Sequence, residues 1–110
     1  MPELSQFTAE FFKVLAHPLR IRILDALRPG EVAVNELSAR LKVEQSTLSQ
    51  QLAVLRKANV VTGRKEGQSV YYSIQDRAIF RVLDEARQVF NNHLIDIKDL
   101  LEQLSPANEK

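Results

Sequence analysis

The chain has 110 residues, of which 45% are hydrophobic and 26% are charged, and its formal net charge is +1. This length and composition predict one globular domain spanning residues 1–110 and argue against an intrinsically disordered chain. The sequence contains no cysteine, which excludes disulfide bonds, thiolate metal sites and thiol redox switches. No stretch approaches the roughly 20 apolar residues of a membrane span, and the first residues lack a signal-peptide pattern. The expected location is therefore the cytoplasm.

The charges are unevenly distributed along the chain. Residues 40–75 carry six Lys or Arg and two Glu, a net charge of +4, whereas the segments before and after them carry −1 and −2. Clustered cations can contact phosphates, so this pattern indicates a nucleic-acid footprint. A solvated cluster of surface charges is the alternative interpretation.

Three elements are predicted before the basic segment. Residues 5–16 have helical spacing, with four apolar side chains near one face: Phe7, Phe11, Phe12 and Leu15. A second helix begins at Pro18, whose missing N–H would be unpaired in a first turn anyway, and it ends before Pro29-Gly30. Residues 31–34 form a short extended stretch.

A helix-turn-helix is predicted next. Asn35 can cap a short third helix with Leu37 and Leu41 in the core, and a turn at residues 43–44 leads into a fourth helix over 45–58. Two short helices joined by a tight turn are typical of DNA-binding proteins, in which the second helix enters the major groove.

The fourth helix has an apolar face and a polar face. Leu48, Leu52 and Leu55 recur on one side and would hold the helix to the domain. The other side carries short hydroxyl and amide side chains, which donate and accept hydrogen bonds at base edges and phosphates. The residues predicted to contact DNA are Gln45, Ser46, Thr47, Ser49, Gln50 and Lys57. The alternative is an ordinary solvated face, although such faces more often carry Glu and Lys than Ser and Thr.

A β-hairpin is predicted after the fourth helix. The β-rich runs at 60–66 and 69–74 flank a tip that contains Gly67. A hairpin in this place is a wing, and its side chains can reach an adjacent minor groove or the DNA backbone. The predicted contacts are Arg64, Lys65, Gln68 and Ser69. An exposed hairpin kept soluble by its charges is the alternative.

One long final helix is predicted, capped by Asp76 and reaching about residue 104. Its apolar residues recur at heptad spacing, which suits packing against another helix. A helix of this length exceeds what a small domain can cover, so a homodimer interface shared with the first helix is favoured over an intramolecular core. The predicted interface residues are Phe7, Phe11, Leu83, Phe90, Leu94, Ile97 and Leu101. The predicted fold is thus a mainly helical, dimeric winged helix-turn-helix of order α-α-(β)-α-α-β-β-α.

The sequence resembles the arsenic-repressor (ArsR/SmtB) family of bacterial and archaeal winged-helix regulators. The similarity covers about residues 10–90, and the matching segments are 12–24 (FKVLAHPLRIRIL), 34–37, 45–55, 58–61, 64–67 and 70–74. The resemblance implies a homodimer that binds imperfect inverted repeats in double-stranded DNA and represses transcription until an inducer arrives. It also implies the contacts: Ser46, Thr47, Ser49 and Gln50 approach the bases, and Arg64, Lys65 and Gln68 serve the wing.

Metal sensing, which is common in that family, is not expected here. Ala33 and Asn35 occupy the positions of a Cys-x-Cys site, and neither is a useful ligand for a soft metal. His93 and Asp96 lie three residues apart as part of a second kind of site, but Asp84 is too poorly spaced to complete it. Two copies could still assemble a His₂Asp₂ set across a dimer, although a solvated or packed His93 is favoured. No cofactor is expected. His17 is assigned a structural role at the start of the second helix, which is favoured over a phosphate contact.

The sequence thus predicts a homodimeric repressor that binds an inverted-repeat operator. A protein-interaction module that kept the winged fold but lost DNA binding is the competing hypothesis. No Ser-His or Cys-His arrangement, Gly-rich phosphate loop or metal cluster supports an enzyme. The inducing signal is left open between a small molecule, a protein, a hard ion near His93 and no signal at all.

Overall fold

The structure is a computed structural model that describes residues 3–92 and 94–104, with side chains for 3–92 and 98–104. Its contacts form two compact units with a boundary between Arg77 and Ala78. The single domain expected over residues 1–110 stays a prediction. Among the described residues, no helix is long and apolar enough to cross a membrane.

From residue 3 onward, the first unit contains four helices and a small sheet, in the order predicted for a winged helix-turn-helix. The elements are α1 (Leu4–Leu15), α2 (Pro18–Ala26), β1 (Val32–Ala33), α3 (Val34–Leu41), α4 (Gln45–Lys57), β2 (Val61–Glu66) and β3 (Ser69–Ile74). The core of this unit is aliphatic, and its residues with at most 9% exposure are Leu15, Ile23, Leu24, Leu27, Val32, Leu37, Leu41, Leu48, Leu52, Leu55, Val60 and Val61.

The start of α2 follows directly from its sequence. His17 is the N-cap, and its Nδ1 accepts a hydrogen bond from the Leu19 N–H at 3.2 Å. Pro18 occupies the first helical position, where no intrahelical N–H bond is lost. The structural role predicted for His17 is confirmed.

The start of α3 differs from the prediction. Asn35 was expected to cap the helix, but the N-cap is Ala33 and the helix begins at Val34. Ala33 pairs with Tyr71 in the sheet, so the chain leaves β1 directly into the helix. Asn35 lies in the first turn, where its Oδ1 accepts a hydrogen bond from the Glu36 N–H at 3.0 Å.

The sheet is antiparallel, with the strand order β1-β3-β2. β2 and β3 form the predicted hairpin, with Glu66 opposite Ser69 and a two-residue turn at Gly67-Gln68. Gly67 has a φ of +63°, a conformation that glycine adopts without a steric penalty and that tight hairpin turns require. This hairpin is the wing.

Over its described residues, the second unit contains two helices, α5 (Ala78–Asn91) and α6 (Leu94–Leu104), so the prediction of one continuous helix is wrong. The break coincides with Asn91 and Asn92, and asparagine is a weak helix former because its side chain competes for backbone hydrogen bonds. α5 begins two residues after Asp76, the predicted cap. His93 lies outside the described residues.

Candidate nucleic-acid interface

The polar face of α4 is exposed, as the sequence predicts. Leu48, Leu52 and Leu55 each have 0% exposure, which fixes the rotation of the helix about its axis. The structure therefore brings six predicted DNA contacts together on the exposed surface of one helix: Gln45, Ser46, Thr47, Ser49, Gln50 and Lys57.

The first turn of α4 has N–H groups that can donate to an anion, whereas the carboxylate of Glu44 just before it opposes one. Glu44 is the N-cap, but its side chain makes no capping hydrogen bond, and the first turn contains no acidic residue. The first N–H groups of a helix lack intrahelical partners and carry the positive end of the helix dipole. A DNA phosphate could accept hydrogen bonds from these groups.

Two arginines that the sequence analysis did not single out hold the helix-turn-helix in place. Arg20 on α2 donates from Nε to Gln51 Oε1 on α4 at 2.8 Å, and from Nη1 to the Val14 carbonyl oxygen at 3.0 Å. Arg22 donates from Nη2 to the carbonyl oxygen of Leu41 at 2.8 Å. These bonds connect α2 to α1, to the end of α3 and to α4, the helix predicted to read the bases and called the reading helix below. The partners are up to 31 residues apart in sequence, so no local pattern could have revealed them.

The predicted wing residues differ in their surroundings. Lys65 and Gln68 are exposed, and Ser69 is half-buried at the start of β3. Lys65 makes no ion pair with any residue in the described part of the chain. Its ammonium group can therefore contact a phosphate without first leaving an acidic partner.

Arg64, the other predicted cation of the wing, is engaged by two carboxylates. Its Nε and Nη2 donate to Glu31 Oε2 and Oε1 at 2.8 and 2.9 Å, and Nη1 donates to Glu66 at 2.5 Å. Its guanidinium carbon lies 4.8 Å from the centroid of the Tyr71 ring. The hydrogen bonds from Arg64 lower the pKa of the Glu31 carboxyl, and the two carboxylates raise the pKa of Arg64.

The predicted dimer residues fall into three groups. Phe7 and Phe11 on α1 are 57% and 36% exposed, and Phe90 and Leu101 are 56% and 59% exposed. Leu83 is only 6% exposed in the single chain, so it has little surface left to offer a partner. The side chains of Leu94 and Ile97 lie outside the described residues, and the interface itself stays a prediction.

The residues considered for a metal site are only partly described. His93 and the side chain of Asp96 fall outside the description. Among the described residues, no group of three or more His, Cys, Asp or Glu side chains is placed to hold a metal ion.

Comparisons with known proteins identify the family to which this chain belongs. The family model of bacterial regulatory proteins of the arsR family matches residues 17–62, which run from the cap of α2 into β2. The HTH-type transcriptional regulator Rv0081 of Mycobacterium tuberculosis is 47% identical over 102 residues, covering 92% of this chain and 90% of that protein. The chain belongs to the arsR family. The resemblance stated from the sequence is therefore confirmed.

Solved structures show the same fold for this arsR-family chain. The crystal structure of Rv0081 has a TM-score of 0.76 at 45% identity, covering 87% of this chain and 97% of that one. A Mycobacterium bovis protein described as a homodimeric winged helix-turn-helix DNA-binding domain has a TM-score of 0.73 at 32% identity, covering 83% and 84%. The predicted winged helix-turn-helix is thus confirmed.

A further relative of this arsR-family chain carries a functional name. The transcriptional repressor SmtB homolog of Synechocystis is 41% identical over 81 residues, covering 74% of this chain and 61% of that protein. The transcriptional regulators among its relatives place the chain in a family of regulators and not of enzymes.

Proposed function

We propose that this arsR-family protein is a homodimeric repressor that binds an inverted-repeat operator in double-stranded DNA through α4 and the wing. The observation that carries the proposal is the exposed polar face of α4, held in one orientation by the buried Leu48, Leu52 and Leu55. A recognition helix must present its side chains in a fixed orientation, because hydrogen bonds to base edges depend on direction.

The side chains on this face divide between base contacts and phosphate contacts. The Gln50 amide can donate and accept at once, which matches the N6 and N7 atoms of adenine in the major groove. Ser46, Thr47 and Ser49 supply hydroxyl groups that serve either base edges or phosphates. Lys57 lies at the far end of the helix and can contact the backbone there.

The wing adds a second contact. Lys65, Gln68 and Ser69 lie at or beside the hairpin turn, where they can reach the backbone or the adjacent minor groove. A cation at this tip would add affinity without regard to base sequence, because phosphate contacts carry no base information.

A homodimer would double the recognition surface. α1 presents exposed Phe7 and Phe11, and the second unit presents exposed Phe90 and Leu101. The M. bovis relative described as homodimeric supports the same assembly here. A two-fold axis would place two copies of α4 about one turn of DNA apart, roughly 34–36 Å. An inducer would act by favouring a dimer geometry in which this spacing is lost.

The proposal is tested by fluorescence anisotropy with the purified protein, the duplex from upstream of its own gene and a scrambled duplex of equal composition. We expect tighter binding to the upstream duplex, with affinity that falls steeply as salt rises. Equal affinity for both duplexes at every salt concentration would contradict sequence-specific recognition and favour the interaction-module hypothesis.

The same assay with zinc or a chelator tests the metal hypothesis. We expect no effect of either addition on the affinity for the upstream duplex. Release of the duplex by zinc, reversed by the chelator, would instead support a site that includes His93 and Asp96.

A further inference from the structure

The wing contains two adjacent cations, Arg64 and Lys65, whose surroundings differ. We infer that Arg64 positions the wing by linking it to the segment before β1, and that the phosphate contact of the wing is made by Lys65. This inference rests on the proposed DNA-binding function and assigns different parts in it to two neighbouring side chains.

Each of the three guanidinium nitrogens of Arg64 donates a hydrogen bond to a carboxylate oxygen. Nε and Nη2 form a two-point contact with Glu31, and Nη1 bonds to Glu66. Two-point contacts between guanidinium and carboxylate are directional as well as charge-assisted. Three of the five guanidinium N–H groups are used in these bonds, and a DNA phosphate could make the same two-point contact through Nε and Nη2 only by displacing Glu31.

The Arg64 side chain crosses the sheet, so its contact with Glu31 connects two separate parts of the first unit. Arg64 lies on β2 directly opposite Tyr71 on the central strand β3, and its guanidinium lies over the Tyr71 ring. It then reaches Glu31, one residue before β1 on the far side of the sheet. β1 contributes only two residue pairs to the sheet, at Val32 and Ala33. Arg64 therefore adds a side-chain link from the edge strand of the wing, across the sheet, to the chain that leads into α3.

The charges around Arg64 and Lys65 support the same assignment. The +1 of Arg64 is offset by the −1 of Glu31 and the −1 of Glu66, so this cluster carries no net positive charge with which to attract a phosphate. Lys65 lies on the opposite face of the strand, because successive side chains alternate. It has no ion pair within the described residues, so its charge is available to DNA.

The test is a double-mutant cycle on DNA affinity with Arg64→Lys, Glu31→Gln and the double variant, using the duplex that the wild-type protein prefers. Arg64→Lys keeps the charge but removes the two-point contact. We expect each single substitution to weaken binding by about three- to fivefold, and the double variant to bind DNA no more weakly than the weaker-binding single variant. Lys65→Gln should instead make the slope of log affinity against log salt shallower by about 0.9, while Arg64→Lys leaves that slope unchanged.

Two controls separate positioning from folding and from general charge effects. Circular dichroism and thermal melting should show that each variant keeps the fold, because both side chains of the pair are partly exposed, at 53% for Arg64 and 35% for Glu31. Glu36→Gln removes the same charge from an exposed pair on α3, where Glu36 accepts a hydrogen bond from Arg40. It should leave DNA affinity within about twofold of the wild type.

Full DNA affinity in Arg64→Lys would overturn the inference, as would additive effects in the double variant. Tighter binding with a steeper salt slope in Glu31→Gln would also overturn it, because that result means that Glu31 withholds Arg64 from a phosphate. In all these cases the wild-type protein still discriminates between duplexes and the proposed function stands. A wild-type protein without any duplex preference contradicts the proposed function itself, and the inference fails with it.

Discussion

Among single substitutions, Phe7→Ala is the most direct test of the proposed homodimer. Phe7 is 57% exposed in one chain. Since a phenylalanine side chain can bury about 200 Å², on the order of 100 Å² remains for a partner to cover. At about 25 cal/mol per Å², covering that area contributes roughly 2–3 kcal/mol in each copy, and alanine would retain part of it. A two-fold interface contains the residue twice, so we expect the dimer to weaken by about 3–4 kcal/mol, or ~10²–10³-fold in Kd.

Sedimentation equilibrium over a range of protein concentrations measures this Kd directly. Val54→Ala is the control, because Val54 is 37% exposed on the reading helix, outside the predicted interface. It should leave the monomer–dimer equilibrium unchanged. A Phe7→Ala protein that dimerises as tightly as the wild type would refute the assignment of α1 to the interface.

Three further predictions concern the reading helix, the core and the ion pair between Glu31 and Arg64. Gln50→Ala should relax base preference at one operator position and cost about 1–3 kcal/mol there, as measured by competition with duplexes altered one base pair at a time. Leu52→Ala should lower the free energy of unfolding by about 2–5 kcal/mol in urea, because Leu52 has 0% exposure. The pKa of Glu31, which Arg64 lowers, should appear as an NMR titration midpoint below that of an ordinary glutamate. A carboxyl whose pKa is lowered by folding stabilises the native state above its unfolded pKa, so this contribution should persist at neutral pH and be lost as acid protonates Glu31.

Each of these predictions has an outcome that contradicts it. Equal loss of affinity on every duplex would show that Gln50 does not read bases. If Leu52→Ala destabilised the protein no more than the exposed Val54→Ala, the packing account of α4 would be wrong. A Glu31 midpoint at or above the ordinary value, or one that Arg64→Gln fails to raise, would show that the ion pair does not form in solution.

The parts of the fold that follow from local patterns were predictable. The spacing of Leu48, Leu52 and Leu55 alone determines which side of α4 is exposed, because a helix turns 100° per residue. The position of Gly67 between two β-rich runs locates the hairpin turn, because only a few residues tolerate its positive φ. The exposed reading face was therefore correctly predicted.

The parts that depend on distant contacts were not predictable. Asn35 has good capping chemistry, but α3 begins earlier because Ala33 pairs with Tyr71, which lies far along the chain. The engagement of Arg64 by Glu31 joins residues 33 apart, and nothing local distinguishes Arg64 from Lys65 beside it. The break after Asn91 is a different case, since the heptad pattern continues through it while the local helix propensity falls.

Selection of duplexes from a random library by the purified protein tests the central claim most directly, because the bound duplexes themselves reveal the operator sequence. The account predicts that the enriched sequences share an inverted repeat whose half-sites are centred about 10–11 base pairs apart, one turn of DNA. It also predicts that Gln50→Ala loses the preference at one base pair in each half-site. Enrichment of no common sequence, or of a single half-site bound by a monomer, would contradict the proposal of a dimeric operator-binding repressor.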